Sequence, residues 1–410
     1  MTKCVKDYDV VIIGAGPSGT VAASLLKQKG YSVLIIEKAV FPRFSIGESL
    51  LPQSMAFFEK AGLLNAIDKG EFQYKDGAAF CRGDEYEAFD FCDKISDGWG
   101  TTFQVPRAKF DHILASEVMN AGVDIRWNNT VSAFHYQDAQ VTLSVIDDQG
   151  MEYQQTARFV LDASGFARVL PGLLDLEAPS NFESRVSLFT HIEDNIVDET
   201  FDRNKILITV HNEYPEVWFW LIPFSDGRSS VGVVAKSAIL DTIEGDNKQK
   251  LQTLISQAGM LAKVLEHADF DSQIGCKAGY SSNVKQLYGD GYALLGNAGE
   301  FLDPVFSSGV TIAVKSADLA VQTLDKQLQG LQVDWQQEFA APLKQGVDTF
   351  RVFVEAWYTG ELQQVIFAAD KDRNIKRMIS AILAGYAWDL TNPLVKNTRK
   401  LATLAQLCKG

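Results

Sequence analysis

The stretch Tyr8-Asp9-Val10-Val11-Ile12-Ile13-Gly14-Ala15-Gly16-Pro17-Ser18-Gly19 decides the fold. Its first half is an apolar, β-branched run of the kind that forms a strand covered on both faces; its second half fits G-x-G-x-x-G where a helix begins. Helical spacing over 17–29 is followed by Tyr31-Ser32-Val33-Leu34-Ile35-Ile36-Glu37, a second buried strand. The three pieces make a βαβ unit that starts at residue 8. In such a unit Gly14 permits the tight turn, Gly16 lets a pyrophosphate approach the backbone and Gly19 lets the helix pack closely. Pro17 and Ser18 open a helix whose first N–H groups face the anion. Glu37, 18 residues beyond Gly19 and followed by Lys38, is placed to accept hydrogen bonds from a ribose. The ordinary alternative is a glycine turn that binds nothing, and it has no need of an acidic residue in register.

Around this unit the chain has 410 residues, 46% hydrophobic and 22% charged, enough for several layers around a substantial core. Against 38 Lys and Arg stand 52 Asp and Glu, a net charge of −14 that repels a polyanion and excludes nucleic acid as an expected partner. The five cysteines (Cys4, Cys81, Cys92, Cys276, Cys408) are scattered and never form Cys-x-x-Cys, so free thiols in a reducing cytoplasm are expected and a bound metal is not. No apolar run approaches the length of a bilayer span, and Met1 to Asp9 carries no leader pattern; a cytoplasmic protein without membrane contact is expected.

Further along, 41–56 reads as loop, 107–121 as helix, and 123–163 as short strands with turns at Asn128-Asn129 and Asp147 to Gly150. Residues 182–236 alternate apolar and polar like a sheet that walls a chamber, and helical periods dominate beyond 306. Two segments close strands with small-residue turns: Leu161-Asp162-Ala163-Ser164-Gly165 and Leu294-Leu295-Gly296-Asn297-Ala298-Gly299. With the N-terminal motif they resemble the three nucleotide-contacting segments of the para-hydroxybenzoate hydroxylase-type flavoprotein superfamily. Arg107, in Val105-Pro106-Arg107-Ala108-Lys109-Phe110-Asp111, fits a fourth motif, whose arginine lies against FAD. The resemblance implies FAD as cofactor, with Asp162, Arg107, Gly296 and Asn297 among its contacts. Where the superfamily has Gly-Asp-Ala this chain has Gly296-Asn297-Ala298, and the asparagine amide can still bond a ribityl hydroxyl. No second G-x-G-x-x-G follows, so no separate nicotinamide domain is expected.

The architecture implied is α/β (α+β overall). A Rossmann-like FAD-binding part takes 1–180 and 270–330, interleaved with an antiparallel β-sheet substrate part at 60–106 and 181–269, and a helical region follows at 331–410.

Trp218-Phe219-Trp220-Leu221-Ile222-Pro223 fits W-x-W-x-I-P, and Phe301-Leu302-Asp303-Pro304-Val305-Phe306-Ser307-Ser308-Gly309 fits F-x-x-P-x-x-S-x-G. Lys75, in Lys75-Asp76-Gly77-Ala78-Ala79-Phe80, and the loop Phe41-Pro42-Arg43-Phe44-Ser45-Ile46-Gly47-Glu48-Ser49-Leu50-Leu51-Pro52 complete the set. Together these resemble the flavin-dependent halogenases, over about three-quarters of the chain, with 41–52 matching a flavin-covering strap. The resemblance implies that reduced FAD, O2 and chloride or bromide yield hypohalous acid, and that Lys75 presents this oxidant to an aromatic carbon. It puts Arg43, Ser49, Asp303, Gly309 and Val310 at the flavin, halide at Ser308 and Gly309, and the substrate chamber among Trp218, Trp220, Pro223, Phe301, Pro304 and Phe306. In a protein of this charge, consecutive N–H groups at Ser307 to Val310 supply the local compensation a halide needs. The plain alternatives are an exposed lysine, one face of an aromatic strand, and ordinary helix capping.

Tryptophan halogenases carry a glutamate directly before the serine, where this chain has Phe306; a pyrrole or phenol is therefore favoured over free tryptophan. Reduced flavin is expected from a separate flavin reductase. A substrate carried by an acyl carrier protein fits the region Lys371 to Lys400, where seven basic residues (Lys371, Arg373, Lys376, Arg377, Lys396, Arg399, Lys400) face two acids (Asp372, Asp389); a solvated helix face is the alternative. Two other readings use the same frame: an aromatic monooxygenase or geranylgeranyl-reductase-like oxidoreductase, and a flavin-binding protein without turnover.

Overall fold

Five strands that pair in parallel extend the βαβ unit into a sheet, in the spatial order Asp124–Arg126, Val33–Ile36, Tyr8–Ile13, Glu152–Asp162 and Tyr292–Leu294, and Tyr288–Gly289 adds to the last of them antiparallel. The computed structural model describes residues 7–369 and 372–408; Cys4 and Lys371 lie outside them. The strands that read as buried runs are buried: Val10, Val11 and Ile12 are fully enclosed, as are Leu34 and Ile35. Register does the decisive work, because Ile13 pairs with Asp162 and Asp162 with Leu294. Three glycine turns far apart in sequence therefore leave the sheet side by side at the carboxyl ends of adjacent parallel strands, where this fold class opens a crevice.

One face of the sheet is covered by the helices Pro17–Gln28 and Gly309–Leu328, which pack on each other, and the other by the hairpin Thr130–Gln137 and Gln140–Ile146. A second sheet runs Gly275–Ala278, Val186–Glu193, Arg228–Ala235, Trp218–Pro223, Lys205–Val210, Gly77–Arg82 and Glu85–Asp90. Its edge strand Gly275–Ala278 extends it past residue 269, into the span assigned above to the nucleotide-binding part. Alternation splits its faces: Phe219, Leu221 and Val233 pack on the helices Asn247–Ser256 and Met260–Val264, while Trp218, Trp220 and Ile222 turn toward the first sheet.

Residues 52–56, read as loop, begin the helix Pro52–Lys60 instead. Proline is suited to a first helical turn, where its missing N–H is not needed, so the punctuation mark was a helix start. The chain ends in helices that include Ala341–Tyr358, Arg373–Leu383 and Lys400–Leu407. Among the described residues no helix is long and apolar enough to cross a membrane.

Candidate functional site

A cavity of about 400 Å³ lies where the glycine turns meet the Trp218 face. Its nucleotide end is lined by Gly14, Gly16, Pro17, Ser18, Glu37, Lys38 and Arg107. Gly14 sits at φ +100°, and a Cβ there would lie 2.6 Å from the Ala163 carbonyl oxygen, so only glycine makes this turn. A Cβ on Gly16 meets nothing nearer than Arg43 Nη2 at 4.0 Å, and no side chain caps the helix that follows. The open space and the uncapped N–H groups are a cradle of the size and polarity a pyrophosphate needs. Glu37 is held by the backbone N–H groups of Ala15 (2.8 Å) and Ala39 (3.0 Å), which aims the carboxylate while leaving it acceptor capacity for ribose hydroxyls.

Three expected contacts stand one layer back. Gly19 is pressed against Gly14 and Ala163, and Gly296 against Ala313 of the helix Gly309–Leu328. Asp162 is fully buried and accepts from the N–H groups of Ser164 (2.9 Å) and Leu170 (2.7 Å), so it shapes the second glycine turn and does not line the cavity. Burial raises its carboxyl above the ordinary range. Asn297 lines the cavity, beside Gly309.

The segment 43–49 crosses the cavity, and every residue in it contributes to the lining. Arg107 anchors it: Nη1 donates to the carbonyls of Ile46 (2.7 Å) and Gly47 (3.3 Å), while Nε and Nη2 fork onto Asp111 at 2.8 and 3.0 Å. Arg43 adds a bond to Asp111 at 3.0 Å. From the second sheet, His191 Nε2 lies 2.6 Å from Glu48 Oε1. Burial pulls the imidazole pKa down, but the Glu48 carboxylate outweighs it and the net direction is up.

Lys75 is wholly buried, which removes the exposed-lysine alternative. The pairing of Gln73–Lys75 with Thr102–Gln104, which also bridges to Ser49, brings it here. Its Nζ donates to Ser49 Oγ at 2.7 Å and to the Leu50 carbonyl at 2.8 Å, with the Phe91 ring 5.3 Å away. Ser49 lines the cavity and Lys75 stands directly behind it. With no carboxylate partner among the described residues, burial pulls the ammonium down to about 7 from the 10.5 of a free lysine.

At the other end, Trp218, Trp220, Phe301, Pro304, Ser307, Gly309 and Val310 line the wall. Trp220 is fixed by an indole bond to Ser230 Oγ at 3.1 Å. Ser308 is the residue before the helix Gly309–Leu328 and makes no side-chain cap, so the capping alternative does not describe it. Ser308 itself is 3% exposed and lies just off the lining. Two chamber residues are corrected. Phe306 turns away, its ring edge-on to Phe353 and Trp357 of the helix Ala341–Tyr358, because the C-terminal helices offer it an apolar socket. Pro223 ends its strand opposite Ser229, off the wall. Asp303 is likewise internal: burial raises its carboxyl to about 6, and it accepts from Val305 N–H and the Tyr358 hydroxyl.

Sequence reasoning missed Phe166, Lys277, Tyr280 and Asn129 in the lining. None belongs to a motif; only the turn signal at Asn128-Asn129 marked one of them. The basic C-terminal patch is partly spent within the chain, since Lys376 bonds Glu87 at 2.5 Å and Arg373 and Arg377 lie against Asp93. Lys396, Arg399 and Lys400 are exposed.

Residues 7–334 match the family described as FAD binding domain. The chain is 28% identical over 339 residues to a 1H-pyrrole-2-carbonyl-(peptidyl-carrier protein) brominase of Pseudoalteromonas luteoviolacea, covering 82% of this chain and 81% of that protein. It is 30% identical over 338 residues to a tryptophan 2-halogenase of Chondromyces crocatus, covering 78% of this chain and 62% of that protein. A solved flavoprotein/dehydrogenase from Cytophaga hutchinsonii superposes with a TM-score of 0.95 at 43% identity, over 98% of this chain and 99% of that one.

Proposed function

This chain belongs to the FAD binding domain family and is a flavin-dependent halogenase, and we propose that it halogenates an electron-rich aromatic ring, a pyrrole or a phenol. One observation carries the reading: Gly309 and Val310, the Trp218 and Trp220 face, and Ser49 with Lys75 behind it all border one cavity with the nucleotide cradle. When reduced and bound, FAD supplies with O2 the oxidising equivalents that convert a halide to hypohalous acid. It would be held by the cradle at Gly14 to Ser18, by Glu37 and by the strap. The remaining work falls to the chain. The N–H groups at the start of the helix Gly309–Leu328 hold the halide against the overall charge of −14. Trp218 and Trp220 form a rigid apolar wall that keeps the ring away from the flavin. Lys75, reaching through Ser49, donates a proton and orients the oxidant.

The deciding experiment supplies reduced FAD from a separate reductase, O2 and bromide or chloride, and follows pyrrole and phenol probes by mass spectrometry. Halogenated product is expected; hydroxylated product alone, or NAD(P)H oxidation by the purified protein with no halogen incorporated, would replace this reading with the monooxygenase or reductase one.

The pyrrole brominase relative, whose name includes a peptidyl-carrier protein, supports a carrier-bound substrate here. With Lys376, Arg373 and Arg377 already paired, the docking charge falls to exposed Lys396, Arg399 and Lys400. Reversing these three to Glu is expected to slow turnover of a carrier-bound pyrrole by about tenfold and leave the free probes unaffected. Equal rates on both, at low and high salt, would discard docking there.

A further inference from the structure

The helix Ala341–Tyr358 belongs to no motif, yet it grips the segment 300–306 at three points. Arg351 is ion-paired with Glu300. The Phe306 ring sits edge-on to Phe353 and Trp357, with centroids 6.4 and 6.3 Å away. The third grip is polar and buried: Tyr358 Oη donates to Asp303 Oδ2 at 2.8 Å and accepts from Trp218 Nε1 at 3.0 Å. The Arg185 guanidinium lies 3.4 Å from the centre of the Tyr358 ring and fixes its plane. Asp303 and Trp218 are 3% and 1% exposed, so water does not compete freely for these bonds.

The connection onward is short. Asp303 Oδ1 accepts from Val305 N–H at 3.0 Å and so sets the single turn Pro304–Phe306. That turn exits through Ser307 at φ +53°, a conformation an L-residue adopts only where its surroundings impose it. Ser308 and Gly309, where the long helix starts, come next. One hydroxyl thus ties the tryptophan wall to the backbone that precedes the helix N-terminus.

We propose that Tyr358 is a positioning residue for the halide, holding the Ser307–Val310 turn at a fixed distance from the Trp218 wall through Asp303. This rests on the reading of that turn as the halide site. Without the hydroxyl, a buried carboxylate oxygen and the Trp218 indole N–H lose their shared partner, and the turn relaxes to relieve them.

The test is chlorine NMR line width on the FAD-loaded protein during a chloride titration, with bromide as competitor, alongside flavin affinity by fluorescence. Tyr358→Phe keeps the ring and its stacking on Arg185, and is expected to weaken chloride binding about tenfold with flavin affinity within about twofold of wild type. Asp303→Asn tests the same bond from the other side: the double variant is expected to bind chloride no more weakly than the worse single one. Chloride binding within twofold of wild type in Tyr358→Phe, or additive losses in the double variant, would overturn the proposal. So would a wild-type protein with no saturable broadening, because the halide site itself would be gone. Wild-type protein that binds chloride but yields no halogenated product would instead count against halogenation, while the chloride affinities still decide the role of Tyr358.

Discussion

Lys75→Ala is expected to lower halogenation by at least about 100-fold while flavin still binds and is reoxidised by O2. The lysine is wholly buried and, among the described residues, donates to Ser49 Oγ and the Leu50 carbonyl, which hold its proton directly behind the cavity wall. Its burial is also a clue to its role. An amine held at about 7 in place of 10.5 carries a folding penalty that is full below about pH 7, where the site must hold it charged, and that fades as pH rises toward 10.5. Near neutrality this is of order 4 kcal/mol, partly offset by the two hydrogen bonds it makes. Lys75→Met, which keeps the volume and drops the charge, is therefore expected to raise the urea midpoint even as it abolishes product. Product formation by Lys75→Ala at the wild-type rate would remove the assigned role. A lower urea midpoint for Lys75→Met would show that the lysine earns its place structurally.

How far the sequence reaches can be judged at single residues. The places of Gly14, Gly16 and Glu37 were legible because they are set within one βαβ unit, where spacing in sequence fixes position in space. Trp218 and Trp220 were legible because alternation in a strand puts both on one face. Phe306 was not. It stands in a motif whose neighbours line the cavity, but the direction of its ring is decided by Phe353 and Trp357, some 50 residues on, and long-range packing leaves no local mark. Tyr358 was lost for the same reason: in a helix full of aromatics, nothing local separates the one that reaches Asp303 from those that fill the core. Asp162 and Asp303 show a subtler failure. Both stand in motifs whose neighbours line the cavity, yet Asp162 is spent on N–H groups of its own turn and Asp303 on the Val305 N–H and the Tyr358 hydroxyl. Lys75 lay between these cases, since its motif was visible and its place behind Ser49 was not.

Arg107→Ala is expected to weaken flavin binding at least about tenfold and to cost about 3–5 kcal/mol of stability. Two tasks meet on one guanidinium. It neutralises Asp111, which is 1% exposed, with a two-pronged contact, and it fastens the strap through the carbonyls of Ile46 and Gly47. Among the described residues the alanine variant leaves Asp111 the single bond from Arg43, itself part of the strap, so the buried carboxylate and the strap loosen together. Arg107→Lys separates the two tasks. A lysine can partner Asp111 as a point charge but cannot fork onto it while also spanning two carbonyls. It is therefore expected to recover most of the stability and little of the flavin affinity. Hydrogen exchange reads the difference directly: amides of 44–50 should exchange faster in both variants, while those of the strand Tyr8–Ile13 should change only in Arg107→Ala. Flavin affinity restored by lysine with 44–50 still loose would mean that the strap is not what retains the cofactor, and that Arg107 acts on the flavin through its charge alone.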